Sequence, residues 1–331
     1  MTRELTNSAR AKFYDCPRAY SIAYVQRVRP VAPSTALAFG TAFHAFLEEY
    51  WKAVGGTMPD PASFDFTKDS EDKVLDGYTA ATLRALASGY IQTWGESDAA
   101  NFEPIGAEIR YDAPLMNPET GAPSRTWHLS GKIDALAREK ATGKVFVIEH
   151  KTAGVDISPG ANYWLKLAID GQVSGYYIGA QSLGYDAKDC VYDVIRKPTI
   201  EPLKATPEDK RKYTKEGKLY ATQREFDETP EEWEERLLMD IAANPSKYYA
   251  RNNVARSDND LADYLFDMWA VGKNIADAER LGRFPRNAAA CSRYGTCEYF
   301  GVCAGFQSLT DPVLFKVEES ANPELANKNK E

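Results

Sequence analysis

Residues 131–152, "GKIDALAREKATGKVFVIEHKT", decide the fold predicted for this chain. With the four residues before them, they alternate apolar and polar side chains as far as Ala137, as a half-buried strand does. Residues 138–144, "REKATGK", are typical of a turn, and "VFVIEHKT" from Val145 is a short, mostly apolar run. The pattern predicts a hairpin whose second strand enters the middle of a sheet.

Three of the charged residues on this hairpin are candidates for a site: Asp134 on the first strand, and Glu149 and Lys151 on the second. Side chains alternate along a strand, so Glu149 and Lys151 share a face. One carboxylate from each strand can hold Mg²⁺ or Mn²⁺, and a lysine beside them can orient water and offset phosphate charge. The alternative is a surface Glu–Lys pair opposite an unrelated aspartate. Against it, these charges end an apolar strand, where an unpaired charge is costly.

Two helices flank the hairpin. "GTAFH", residues 40–44, lies on an amphipathic helix predicted from Ala36, and Glu48 follows one turn after His44. Taken alone, His44 fits an ordinary core or surface histidine. Gln172 and Tyr176 are four residues apart, so they share one face of the helix after the hairpin. Such pairs are common and carry little information by themselves.

The order of these elements resembles the PD-(D/E)XK nucleases, and within them the RecB-like branch. That branch has a GxxxH helix, a GxxD strand, an ExK strand and a QxxxY helix, which read here "GTAFH", "GKID", "EHK" and "QVSGY". The resemblance implies metal-dependent hydrolysis of DNA, by an exonuclease rather than a sequence-specific enzyme. It implies a metal site of His44, Asp134, Glu149 and the backbone carbonyl of His150, a catalytic Lys151, and Gln172 and Tyr176 near the substrate strand.

Three of the five cysteines, Cys291, Cys297 and Cys303, follow one another at six-residue steps. The N-terminus lacks an apolar signal core, so we expect a reducing cytoplasm, that of the host if the protein is phage-encoded. There, clustered cysteines are more often metal ligands than disulfides. Cys16 is the obvious fourth ligand, and Cys190 is predicted to be a small buried residue in a strand. A four-cysteine zinc site and free thiols are the alternatives.

One cysteine before the nuclease motifs and three after them resemble the iron–sulfur subset of the same family, which includes CRISPR-associated exonucleases and helicase–nuclease subunits, and phage-encoded relatives. The resemblance implies a [4Fe–4S] cluster on Cys16, Cys291, Cys297 and Cys303 that joins the C-terminal segment to the first helix.

The charge of the chain is unevenly distributed. The formal net charge is −8, yet residues 204–224 carry seven Lys or Arg against three acids. This segment is either a DNA contact or a solvated loop. No apolar run approaches the ~20 residues that span a bilayer, so no membrane partner is expected. No GxxxxGK[ST] motif is present, so unwinding DNA would need a helicase partner.

The whole sequence predicts an α/β fold with a mixed central sheet flanked by helices. A helix from Ser8 to Val28 breaks at Cys16-Pro17, and single helices are predicted over 161–184 and 258–281. The predicted segments are an N-terminal helical segment (1–35), a nuclease core (36–200), a basic insertion with a helical segment (201–285), the cysteine segment (286–305) and a disordered tail (306–331).

The expected function is a DNA exonuclease in end processing, recombination or replication. The alternative is a catalytically silent or partner-dependent DNA-binding subunit of a helicase–nuclease complex. The carboxylates and lysine of the hairpin favour the enzyme, because a binding role does not require them.

Overall fold

A mixed β-sheet lies at the centre of the computed structural model, which describes residues 2–32, 35–68, 74–293 and 295–325. The strands are β1 (Arg3–Leu5), β2 (Val28–Pro30), β3 (Phe102–Met116), β4 (Pro123–Glu139), β5 (Val145–Ala153), β6 (Ala187–Arg196), β7 (Tyr249–Asn253) and β8 (Phe315–Val317). Within the described ranges the sheet has the order β1-β4-β5-β6-β7, and β3 pairs along β4. β1 is parallel to β4 and β5 to β6, while the other pairs are antiparallel.

Helices cover both faces of the sheet, which confirms the predicted α/β class. They are α1 (Asn7–Asp15), α2 (Pro17–Tyr20), α3 (Thr35–Ala53), α4 (Gly77–Asn101), α5 (Asn162–Leu165), α6 (Gly171–Ser182), α7 (Pro230–Ala243), α8 (Pro245–Tyr248), α9 (Asp258–Leu281) and α10 (Phe300–Ala304). α3, α4 and α7 pack on one face around Phe43, Tyr90 and Trp233. α6 packs on the other face through Val173 and Tyr177. None of the described helices is long and apolar enough to cross a bilayer.

The predicted boundaries hold at several helix ends. Cys16 is extended, Pro17 opens α2, and a π-helical turn, Ser21–Val25, follows, so the first helix breaks where the sequence predicts. Ser257 is the N-cap of α9. The helix ends at Leu281, and the next residue, Gly282, has a φ of 63° that suits glycine. The single helix predicted over 161–184 is wrong. It divides because the Asp170 side chain caps Gln172 and restarts the chain as α6.

The predicted disorder of the tail is not met in its described part, residues 306–325. β8 pairs antiparallel with β2, and Phe315 and Leu325 are buried. The next residues stay in place because arginines of the core donate to their carbonyls: Arg29 to Ala321 and Arg110 to Leu325. Residues 326–331 lie outside the described part of the chain.

A buried ionic network joins α4 to the sheet. Arg251 on β7 donates to Asp98 at the end of α4 and to Asp193 on β6. The Tyr90 hydroxyl donates to Asp193, 2.5 Å away. Both aspartates are almost completely buried. Their charge is tolerated because one guanidinium and the hydroxyls around it supply most of the hydrogen bonds that water would otherwise give; Asp193 Oδ1 has no partner among the described residues.

Arg251→Met should lower the free energy of unfolding by about 3–5 kcal/mol, because it leaves two buried carboxylates without a cation. Urea denaturation followed by tryptophan fluorescence measures this loss. The matched control is Arg280→Met, which removes an exposed arginine paired only with Asp277 and should cost no more than about 0.5 kcal/mol. Equal effects of the two substitutions would show that the network contributes nothing.

Candidate active site

The candidate site lies where β4 and β5 separate. Their pairing runs from Arg138↔Val145 to Ala135↔Ile148 and stops there. At the next residue of β4, Asp134 Oδ2 accepts the backbone N–H of His150 at 2.9 Å. The carboxylate therefore takes the place of a ladder hydrogen bond, and a gap opens beside it.

Helix α3 brings His44 to this gap. His44 Nδ1 lies 3.6 Å from Asp134 Oδ2. One turn earlier, the Cα of Gly40 stands so close to β5 that a Cβ there would lie 3.4 Å from Thr152 Oγ1. Burial lowers the pKa of His44 to about 4, although Asp134 opposes this shift. The imidazole is therefore neutral at physiological pH and has a lone pair for a metal ion.

Glu108 is a site residue that the sequence analysis missed. It lies on β3 between the pairs Ala107↔Ala135 and Ile109↔Ile133, which places it opposite Asp134. Its φ of 51° is unusual for a residue other than glycine. The ligand atoms of His44, Glu108 and Asp134 all lie within 4.8 Å of one another. Only the register of β3 against β4, which the sequence leaves open, brings Glu108 here.

Two charges act on the Glu108 carboxylate. Lys132 Nζ lies 2.6 Å from Glu108 Oε2. Burial raises the pKa of Glu108, against the opposing effect of this lysine, and Asp134 adds to the rise. A cation bound between Glu108 and Asp134 would relieve the repulsion of the two carboxylates.

Glu149 and Lys151 share a face of β5, as their spacing predicts, and form an ion pair there. Glu149 is completely buried, and its second oxygen, Oε2, has no hydrogen-bond partner among the described residues. Burial, and after it the Asp134 carboxylate, raises the pKa of Glu149 to about 8. Glu149 is not one of the three residues, His44, Glu108 and Asp134, whose ligand atoms lie within 4.8 Å of one another. Its unpartnered oxygen is nevertheless the kind of acceptor that a bound metal ion satisfies.

Asp134 stays ionised in this setting. Burial would raise the pKa of Asp134, but His44, His150 and Lys151 outweigh it and hold the pKa below its usual range. The site thus offers a permanent carboxylate beside a neutral imidazole. Hard divalent cations take carboxylate oxygens in this way.

Gln172 and Tyr176 share a face of α6, as their spacing predicts. Gln172 Nε2 donates to the Tyr176 hydroxyl at 2.6 Å. Tyr176 is buried, and Glu149 acts on its pKa, so the pair lies on the Glu149 side of the site. Gly179 lets α6 approach the ring of Tyr111, whose Cγ would be 2.6 Å from a Cβ at that position.

His150 contributes more than a backbone group. Its ring is buried, and Nε2 accepts a hydrogen bond from Trp51 Nε1 at 2.8 Å. Its Nδ1 lies 3.5 Å from Asp134 Oδ2. The resemblance implies the His150 carbonyl as a metal ligand; that role stays a prediction.

The donor set fits Mg²⁺ or Mn²⁺. It combines the carboxylates of Glu108 and Asp134, the neutral imidazole of His44 and the orphan oxygen of Glu149. Oxygen-rich sites with one or two carboxylates and an open side for water are typical of these ions.

The structure brings the four cysteine-bearing positions to two adjacent segments. Cys16 Sγ accepts the N–H of Asn287 at 3.4 Å, and Cys291 Sγ lies 3.7 Å from the Asn287 carbonyl. Cys297 donates its N–H to the Cys291 carbonyl. In the described ranges no three cysteine sulfurs lie within 4.8 Å. Tetrahedral zinc needs sulfurs about 3.8 Å apart, given Zn–S bonds of ~2.3 Å, and the described cysteine side chains are not arranged in this way.

The remaining cysteine and the basic segment can also be placed. Cys190 is completely buried in β6, as predicted. Within residues 204–224, Lys204 pairs with Asp227 and Arg224 with Glu232. Part of this positive charge is therefore neutralised by acidic side chains of the same chain.

In this structure, two strands of a mixed sheet separate beside an aspartate, and the second of them carries an ExK motif. This combination is typical of a class of protein, the metal-dependent nucleases. The model of the PD-(D/E)XK nuclease superfamily matches residues 4–304, so the chain belongs to that superfamily. The sequence has no significant match among curated proteins. The predicted superfamily is confirmed, and its RecB-like branch stays a prediction.

Glu108→Gln should weaken Mn²⁺ binding by about 10- to 100-fold, because it removes one charged oxygen from the three-residue group. Isothermal titration calorimetry measures the affinity without any substrate. Glu103→Gln is the matched control, since Glu103 lies on the same strand, is exposed to solvent and belongs to no group of possible metal ligands among the described residues. If both variants bind Mn²⁺ like the wild type, Glu108 is not a ligand.

Proposed function

We propose that this chain is a metal-dependent DNA exonuclease of the RecB-like type, with its active centre at Asp134. The observation that carries the proposal is the convergence of three of the four motifs on the gap between β4 and β5, with the fourth, Gln172 and Tyr176, on the Glu149 side. His44, Asp134 and the Glu149–Lys151 pair meet there.

Each residue has a role that follows from its surroundings. When bound, Mg²⁺ or Mn²⁺ lowers the pKa of a water molecule and offsets charge on the scissile phosphate. His44, Glu108, Asp134 and Glu149 hold the ion. Lys151 donates to the attacking water or to the phosphate, and Gln172 with Tyr176 orients the strand.

Exonuclease action is proposed because the motifs resemble those of enzymes that process DNA ends, and because the sequence shows no zinc-finger spacing or other evident DNA-reading module. Suitable settings are recombination and replication-associated end processing in the cytoplasm, that of the host if the protein is phage-encoded. A helicase partner would supply the unwinding.

We also propose that Cys16, Cys291, Cys297 and Cys303 hold a [4Fe–4S] cluster. Four thiols on two segments in contact suit such a cluster. The contacts Arg293–Asp15 and Lys12–Glu298 hold the same two segments together. The cluster would stabilise the junction of the chain's ends.

The nuclease proposal is tested with end-labelled linear DNA and covalently closed circular DNA, in Mg²⁺ or Mn²⁺. We expect loss of linear DNA only, and a fall in rate of at least about a hundredfold in Asp134→Ala and Glu149→Gln with DNA binding retained. Glu103→Gln should cut like the wild type.

Other outcomes of this assay change the assignment. Cleavage of circles would make the protein an endonuclease. DNA binding without cleavage by the wild type would favour the silent or partner-dependent subunit. Wild-type activity in Glu149→Gln would move the metal site elsewhere.

The cluster is tested by metal analysis of anaerobically purified protein. Cys16→Ser should lose iron and lower the melting temperature, because one of four ligands is removed. Cys190→Ser, in the sheet, should keep its iron. Stoichiometric zinc in the wild type would identify the alternative site, and full iron in Cys16→Ser would exclude Cys16 as a ligand.

A further inference from the structure

Arg10 on α1 is a largely buried cation with few partners. Its side chain is only 20% exposed, and its one ion pair among the described residues is long, 3.9 Å to Asp267, which is 60% exposed. Its Cζ also lies 5.9 Å from the centre of the Tyr14 ring. Its Nε is buried and has no acceptor among the described residues. A guanidinium has five N–H donors, so this arginine keeps donors that the described chain does not use.

The fold makes room for this guanidinium beside the active site. The Arg10 guanidinium lies against Gly171, the first residue of α6. A Cβ added to Gly171 would stand 2.9 Å from Arg10 Cζ. Gln172, the predicted strand-orienting residue, follows directly. Asp170, on the other side, is close enough to Lys151 to act on its pKa. Arg10 is thus placed at the end of α6 that faces the catalytic lysine.

Buried donors without acceptors call for an explanation, and a ligand is one of the few available. An anion suits a guanidinium best, because it balances the charge as well as accepting the N–H donors. Planar, bidentate recognition by arginine suits a phosphate group. The exposed Asp267 is a weak competitor at its distance and can turn to solvent.

We propose that Arg10 binds a backbone phosphate of the substrate strand next to the scissile one, and so positions that strand in the active site. This inference rests on the proposed DNA nuclease function. Arg10 is a positioning residue, which contacts the strand and takes no part in bond cleavage. Gly171 is small because a side chain there would displace the guanidinium.

The test compares Arg10→Met and Arg10→Lys with the wild type and with Arg280→Met, the exposed control. Cleavage kinetics on linear DNA should show KM raised about tenfold in Arg10→Met with kcat nearly unchanged. Binding to a fluorescent oligonucleotide, measured in the Asp134→Ala background at several salt concentrations, should lose about 0.7–0.9 from the slope of log K against log salt.

The Arg10→Lys variant and the melting temperature separate this role from a structural one. Arg10→Lys keeps the charge, so it should keep the salt slope and recover part of the loss in KM. An Arg10→Met protein with a lower melting temperature and the wild-type slope and KM would overturn the proposal. So would equal effects of Arg10→Met and Arg280→Met.

This inference and the proposed function can fail separately. If the wild type cleaves DNA and Arg10→Met has the same KM and the same salt dependence of binding, only the role of Arg10 is refuted. DNA binding without cleavage refutes the nuclease function, while a changed slope in Arg10→Met still supports the phosphate contact.

Discussion

The hydrogen bond from the His150 backbone N–H to Asp134 Oδ2 is the interaction on which the site depends. A strand that leaves its neighbour exposes backbone donors, and each buried donor must find an acceptor. Here the acceptor is a side chain, so the strands can part without leaving this N–H group unpaired. The same bond fixes the carboxylate at the mouth of the gap, where α3 and β3 add His44 and Glu108.

The ring of His150 extends this constraint into the core. Trp51 donates to Nε2, which leaves Nδ1 as the protonated nitrogen of the neutral ring, directed at Asp134. On the far side, Nε2 lies 4.0 Å from Asp193, the partner of Arg251. The imidazole that faces Asp134 therefore lies next to a buried ionic network without a hydrogen bond to it. The hydrogen bond from Trp51 holds the ring in one position.

Sequence reasoning was most successful where the signal is local. The hairpin around Asp134, the helix over 258–281 and the break at Cys16 depend on neighbours along the chain, and the structure has them where predicted. Glu108 was missed because its place depends on strand register and on a left-handed backbone at one residue. The tail from 306 to 325 was misjudged for a similar reason. Its polar composition predicts disorder, whereas its order comes from β2 and from arginines about 200 to 290 residues away.

Helix α1 connects these local and distant features. Its C-terminal end contacts the cysteine segment through Asp15 and Cys16. Near its N-terminal end, Asn7 and Arg10 lie against Gly175 and Gly171 of α6. Packed interiors transmit displacement because they contain few voids. A shift of α1 would therefore move α6, and with it Gln172 and Tyr176, against Glu149. If a cluster holds the two ends together, its effect on cleavage follows from packing alone and requires no electron transfer. The iron–sulfur proposal and the phosphate contact of Arg10 thus concern the two ends of one short helix.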